Sequence, residues 1–164
     1  MEKIKRILAP TDLSELSQVG VRYALNLAKA VGAEVTLYHV VSYEELLWYG
    51  EKIATAATFG PSDSILEKYQ TALTQFLKAN FSDLVPSVKV HEKVELGAPD
   101  GNIVEEAKKE GADLIVISTH GRSGLPHMLL GSVTEKVVRH APCPVLSIRP
   151  EREQRAAKKA AAAA

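Results

Sequence analysis

The sequence predicts an α/β fold of the doubly wound type: a five-stranded parallel sheet with helices on both faces and strand order 3-2-1-4-5. Three observations lead there. Short apolar runs alternate with stretches whose apolar residues recur every three or four positions, so strands alternate with helices along the chain. The run Val35–Val41, VTLYHVV, is apolar almost without interruption, as in a strand covered on both faces. Leu114–Ile117 passes into a small-residue loop, Ser118–Gly124, with Ser132 standing where a helix should begin. Strand, glycine loop and helix start together can surround an anion with backbone N–H groups.

The elements follow in order. Ile4–Ala9 is the first strand, ended by Pro10-Thr11-Asp12, where Asp12 or Ser14 can cap the next helix. Leu16, Gly20, Tyr23, Ala24, Leu27 and Val31 form the apolar face of that helix, and Gly32 stops it. In the second strand, Val35–Val41, His39 reads as a packed core histidine. Tyr43–Pro61 carries the only tryptophan and reads as a flap or a helical excursion. Ser62 is a cap for a helix running to Phe81, with Ile65, Leu66, Tyr69, Leu73, Phe76 and Leu77 as its buried stripe. Ser87–Glu95 alternates apolar and charged residues, which suits a strand near the sheet edge. A short helix starts at Asp100, buries Ile103, Val104 and Ala107, and ends at Gly111. After the fourth strand and the glycine loop come a helix over Ser132–Arg139 and an edge strand, Val145–Ile148, behind Pro142 and Pro144.

The 164 residues suit one domain over 1–150, followed by an alanine-rich tail, 151–164, expected as a helical extension or disorder. Twenty Lys+Arg balance twenty Asp+Glu, and no basic cluster stands out, so a nucleic-acid partner is not expected. The single cysteine, Cys143, excludes an internal disulfide and reads as a buried, inert thiol. No run reaches the ~18 apolar residues of a membrane span, and MEKIKRILAP does not read as a signal peptide. These features predict a cytoplasmic protein without a membrane partner.

With the first and fourth strands as central neighbours, Pro10-Thr11-Asp12 and Ser118–Gly121 meet at the carboxyl ends of the sheet, where doubly wound folds bind ligands. Gly121, Gly124 and Gly131 should allow close backbone approach and positive φ, and the N–H groups of Gly121, Gly131 and Ser132 can face an anion. His120, His127 and His140 match no tight zinc spacing, so no metal site held by the protein alone is expected.

From Ile4 to Arg149 the chain resembles the universal stress protein family. ILAPTDLS at Ile7–Ser14, YHVV at Tyr38–Val41 and STHGRSGLPHMLLGSVTEKVVRHAPCPVLSIRP at Ser118–Pro150 carry the likeness, with the strand order itself. ATP-binding members of that family show a G-x-x-G-x9-G-S/T pattern. Here Gly121 is its second glycine, Arg122–Leu130 the spacer and Gly131-Ser132 its close, while Ser118 stands in place of the first glycine. The resemblance implies ATP as ligand, with magnesium held mostly by the phosphates. It implies Pro10, Thr11, Asp12 and the backbone near Val40 on the adenine and ribose side. Gly121, Arg122 and Ser123 would follow the phosphates, and Gly131, Ser132 and Val133 would close the site beside Ser118. Asp12 also reads, with less weight than ligand binding, as a helix cap, and Arg122 equally as a solvated surface residue. Ser132 can both cap its helix and donate to phosphate.

The resemblance further implies a homodimer joined through Val145–Ile148, whose apolar edge is a hazard unless paired. A nucleotide-dependent dimeric stress-response module is the leading expectation, with no catalytic residue. The alternatives are a slow ATPase and a nucleotide-free dimeric scaffold. The absence of a GxxxxGK[ST] loop weighs against the ATPase.

Overall fold

The computed structural model describes residues 3–47, 63–121, 130–150 and 162–163. Five strands, β1 (Arg6–Pro10), β2 (Glu34–Val41), β3 (Val90–Leu96), β4 (Leu114–Ser118) and β5 (Val145–Ile148), form one sheet in the order β3-β2-β1-β4-β5. Every pairing is parallel. The helices between them are α1 (Gln18–Val31), α2 (Asp63–Phe81), α3 (Pro99–Glu110) and α4 (Ser132–His140).

Strand alternation sends side chains to two cores. Ile7, Ala9, Val35, Leu37 and Val116 pack with Val21 and Leu25 of α1 and with Leu73 and Phe76 of α2. Leu8, Tyr38, Val40, Ile115 and Ile117 face the other way, against Ile103 and Ala107 of α3 and Val137 of α4. Cover on both faces is why the central strands read as unbroken apolar runs. Gly32 and Gly111 end α1 and α3 with φ of 71° and 60°, the left-handed C-cap that costs a residue with a β-carbon about 1–2 kcal/mol.

Local boundaries depart from expectation where long-range contacts intervene. The first strand runs Arg6–Pro10 rather than Ile4–Ala9, because the Lys5 and Arg6 N–H groups donate to the Asp113 carboxylate at the strand's entrance. The third strand begins at Val90, since Val85–Ser87 makes a 3-10 turn around Pro86. It is the outer strand next to β2, as its charge alternation suggested. The apolar face of α1 is rotated: Gly20, Val21, Ala24, Leu25 and Ala28 are buried, while Tyr23 is 47% exposed. The cause is Gly20, which presses on β4. A β-carbon there would lie 2.7 Å from the Ser118 nitrogen.

Residues 43–47 form a helical turn. The remainder of the Tyr43–Pro61 segment, from Trp48 on, and the Ser62 cap lie outside the described residues. Among the described residues no helix is long and apolar enough to cross a membrane.

Candidate functional site

The two connections leaving β1 and β4 diverge to opposite sides of the sheet. At that divergence lies a cleft of about 820 Å³. Pro10, Thr11, Asp12, Val40, Ser118, Gly121, Gly131, Ser132 and Val133 all line it. Arg122 and Ser123, named with them from the sequence, lie outside the described residues, as does Gly124.

On the β1 side the chain makes a tight turn before α1. Thr11 N–H donates to the Tyr38 carbonyl at 2.9 Å, and Leu13 N–H donates to Thr11 Oγ1 at 3.1 Å. Asp12 Oδ1 accepts from the Ser14 N–H at 3.0 Å and from the Ser14 hydroxyl. Neither Asp12 nor Ser14 caps α1 as anticipated; Ser17 holds that position, and Asp12 Oδ1 is engaged within its own turn. Leu13 adopts φ of 63°, the only non-glycine residue with positive φ among the described residues. That backbone costs about 1–2 kcal/mol and persists only where its surroundings hold it.

On the β4 side, Ser118 and Thr119 tie three elements together. The Ser118 hydroxyl donates to the Leu16 carbonyl at 2.9 Å, ahead of α1. The Ser118 carbonyl accepts from Thr134 Oγ1 at 2.9 Å, on α4. Thr119 N–H donates to the Ile148 carbonyl of β5 at 2.8 Å, and its carbonyl accepts from Gly131 N–H at 2.7 Å. A serine in the first glycine position of the sequence pattern is thus anchored by its own hydroxyl.

The glycines meet one half of the expectation, close approach, and not the other, positive φ. Neither Gly121 nor Gly131 has positive φ, and Gly131 sits at −66°. They are needed for closeness. A β-carbon on Gly121 would fall on Asp12 Oδ2, and one on Gly131 would lie 3.0 Å from the Thr119 carbonyl oxygen. Gly131 is the N-cap residue of α4, and Ser132 is its first helical residue, with no side-chain cap bond. The expected capping role of Ser132 is therefore corrected: an extended glycine occupies the cap. The first N–H groups of α4 have no acceptor within the helix and carry its positive end.

The charge of the cleft is uneven. Asp12, Glu44 and Glu45 line it, and among the described lining residues there is no lysine or arginine. Attraction for an anion comes there from the α4 amino terminus. The opposite wall is apolar, with Val40, Ile103 and Ile117 beside the ring of Tyr38. The Tyr38 hydroxyl donates to Glu95 Oε2 at 2.7 Å, and burial with that carboxylate pushes the phenol far above its ordinary range. Lys93 bonds to both Glu95 and the buried Glu106. Burial alone would lower its pKa, but the two carboxylates outweigh this and raise it. Among the described residues no group of three or more histidine, cysteine or acidic side chains is placed to hold a metal ion. Cys143 is half-buried rather than buried, and that burial raises its thiol, which disfavours the reactive thiolate.

Sequence reasoning missed several lining residues. Gly97, Ala98 and Pro99 enter at the carboxyl end of β3. The same rule that singled out the ends of β1 and β4 could have found them. Thr119 and His120 belong to the Ser118–Gly121 stretch expected there, whereas Ser17 and Thr134 carry no local signal and only the packing brings them to the cleft.

Comparison with known proteins gives one consistent result. The universal stress protein family model matches residues 3–149. The chain is 35% identical over 150 residues to Universal stress protein MJ0531 of Methanocaldococcus jannaschii, covering 92% of this chain and 85% of that one. Its fold is similar to that of the solved hypothetical protein MJ0577, a universal stress protein of the same organism, with a TM-score of 0.69 and 30% identity over 91% of this chain and 98% of that one. It is also similar to the solved universal stress protein UspA from Lactobacillus plantarum, with a TM-score of 0.66 and 25% identity over 91% and 100% of the two chains.

Proposed function

The chain belongs to the universal stress protein family, and from that premise we propose that it is an ATP-binding member acting as a nucleotide-dependent homodimeric module. One observation carries the reading. The Asp12 carboxylate meets Gly121 across the switch point, with the amino terminus of α4 on the same cleft. A carboxylate suits ribose hydroxyls, which donate hydrogen bonds. Close-packed glycines and a helix amino terminus suit phosphates. The apolar wall at Val40, Ile103 and Ile117 suits a base, and backbone groups near Val40 can read its edge.

In this assignment Pro10, Thr11, Asp12 and Val40 face adenosine. Gly121, Arg122 and Ser123 follow the phosphates, and Ser118, Gly131, Ser132 and Val133 close the site. The carboxylates and the lack of a described lysine or arginine in the lining fit a nucleotide whose charge is partly neutralised by magnesium. The phosphates supply most of the ligands to that ion. Two edge strands bound the sheet, and β5 is the apolar one. Ile115 N–H donates to Pro144 and Thr119 N–H to Ile148, so the alternate peptide groups, those of Val145 and Ser147, face the free edge. Pairing that edge with a second copy satisfies them.

The test is to purify the protein without added nucleotide, denature it and run the supernatant on anion exchange, then to titrate the native protein with Mg-ATP. A near-stoichiometric ATP peak, or saturable Mg-ATP binding, is expected. Absence of both overturns the reading. Turnover of order 1 per second or more would make it an enzyme instead.

A further inference from the structure

The peptide joining Thr11 to Asp12 sets where the Asp12 carboxylate points. His39, on the neighbouring strand β2, holds that peptide: its Nδ1 lies 2.8 Å from the Thr11 carbonyl oxygen. A carbonyl oxygen only accepts, so Nδ1 carries the proton and donates. The Thr11 N–H is held by the residue before His39, donating to the Tyr38 carbonyl at 2.9 Å. Both peptide groups of Thr11 are therefore fixed by consecutive residues of β2.

The imidazole is itself fixed. His39 is 1% exposed and stacks on Tyr69 of α2, with ring centroids 5.2 Å apart and planes inclined by 30°. Just beyond the gripped peptide comes Leu13 in its left-handed conformation, its side chain packed against two core clusters. A turn with such backbone drifts toward a commoner conformation unless the peptides before it are held. Any drift there moves Asp12 away from Gly121.

We infer that His39 is a positioning residue for the nucleotide site: by gripping the Thr11–Asp12 peptide it aims the Asp12 carboxylate across the cleft at Gly121. The inference rests on the ATP-site reading for its functional meaning. A strand position that needed only packing would be served by any apolar residue of similar size. What this position supplies is a donor one bond beyond Cγ, and asparagine carries its amide nitrogen at the same place.

The experiment compares His39→Phe, which keeps the ring beside Tyr69, with His39→Leu and His39→Asn, each alone and combined with Asp12→Ala. Adenosine, Mg-ATP and inorganic tripolyphosphate are titrated by calorimetry, and 1H–15N spectra are taken of nucleotide-free protein. His39→Phe is expected to weaken adenosine and Mg-ATP about 10-fold, the scale of one lost hydrogen bond, and to leave tripolyphosphate unchanged. His39→Asn should recover most of the loss. In the Asp12→Ala background the Phe substitution should cost nothing further, as for two residues acting through one contact. The Asp12 and Gly121 amides should shift in the Phe variant and return in the Asn variant. If the Phe variant fails to fold, the Leu variant supplies the same readouts. Equal losses with and without Asp12, or unmoved Asp12 and Gly121 amides, overturn the inference. Should the parent protein bind neither adenosine nor Mg-ATP, the ATP-site reading fails, and the amide spectra alone decide whether His39 aims Asp12.

Discussion

The α-carbon of Gly121 lies against the carboxylate of Asp12, so close that a β-carbon on Gly121 would fall on Asp12 Oδ2. The obstructing atom is the tip of a side chain, which can swing away without disturbing the sheet. Gly121→Ala is therefore expected to fold with nearly unchanged thermal stability while displacing the carboxylate. Adenosine affinity should fall about 10-fold, as in Asp12→Ala, and the double variant should be no worse than either single one. Calorimetric titration of the three variants checks this. Additive losses would separate the two residues.

Gly131 meets a harder neighbour. Its missing β-carbon would lie 3.0 Å from the Thr119 carbonyl oxygen, a backbone atom already bonded to the Gly131 N–H. Gly131→Val is expected to push the start of α4 away from the cleft and reduce Mg-ATP affinity at least about 100-fold, roughly 3 kcal/mol. The circular dichroism of the sheet and helices should be retained. Undiminished affinity would remove the α4 amino terminus from the phosphate site.

Gly20 tests packing alone. Alanine gains up to about 1 kcal/mol over glycine in a helix interior and less in the first turn, where Gly20 stands. Here the added carbon would lie 2.7 Å from the Ser118 nitrogen, and overpacking against backbone costs about 1–3 kcal/mol. The clash is expected to prevail, so that Gly20→Ala lowers the urea midpoint. A raised midpoint would show that α1 can lift from β4 freely.

Asp113 provides a pH dependence. Its Oδ2 accepts from the N–H groups of Lys5 at 2.8 Å and Arg6 at 2.9 Å, and these bonds hold its carboxyl below the usual aspartate range. A carboxyl lowered in the folded state stabilises at pH values above its unfolded pKa. That contribution disappears as the pH falls through the folded value. Asp113→Ala is thus expected to cost about 1 kcal/mol at neutral pH, discounted for its partial exposure. The difference from the parent should vanish in strong acid. Urea unfolding of both proteins across the acid range measures it; a pH-independent difference would assign the loss to packing.

The free edge of β5 tests the proposed dimer. Ser147→Pro removes an N–H that faces away from β4, so the bonds of β4 to Pro144 and Ile148 are retained. The variant is expected to run as a folded monomer in light scattering at concentrations where the parent is a dimer. An unchanged mass would place the interface elsewhere.

The sequence by itself determined the alternation of strands and helices, the strand order and the glycine stops at Gly32 and Gly111. It also determined the start of the last helix at Ser132 and the convergence of Pro10-Thr11-Asp12 with Ser118–Gly121. These follow from periodicity, turn chemistry and the handedness of βαβ connections, which act within a few residues or within one supersecondary unit. Only the tertiary structure decided which atoms of the convergent residues meet. Asp12 was legible as a cap or a ligand; the fold turns its carboxylate onto a glycine about a hundred residues away. Close approach was legible at Gly121 and Gly131; the fold decides what is approached, Asp12 and the Thr119 carbonyl, and sets Gly20 of the first helix's apolar face against Ser118. Tyr23 belonged to a valid apolar stripe, yet the contact of Gly20 with Ser118 rotates α1 and leaves that ring outside. His39 read as core, and so it is, but its hydrogen bond to Thr11 exists only because β1 ends beside it. A local pattern records which face of an element is apolar. Which atom meets which is set when close packing fixes the rotation and height of every element at once.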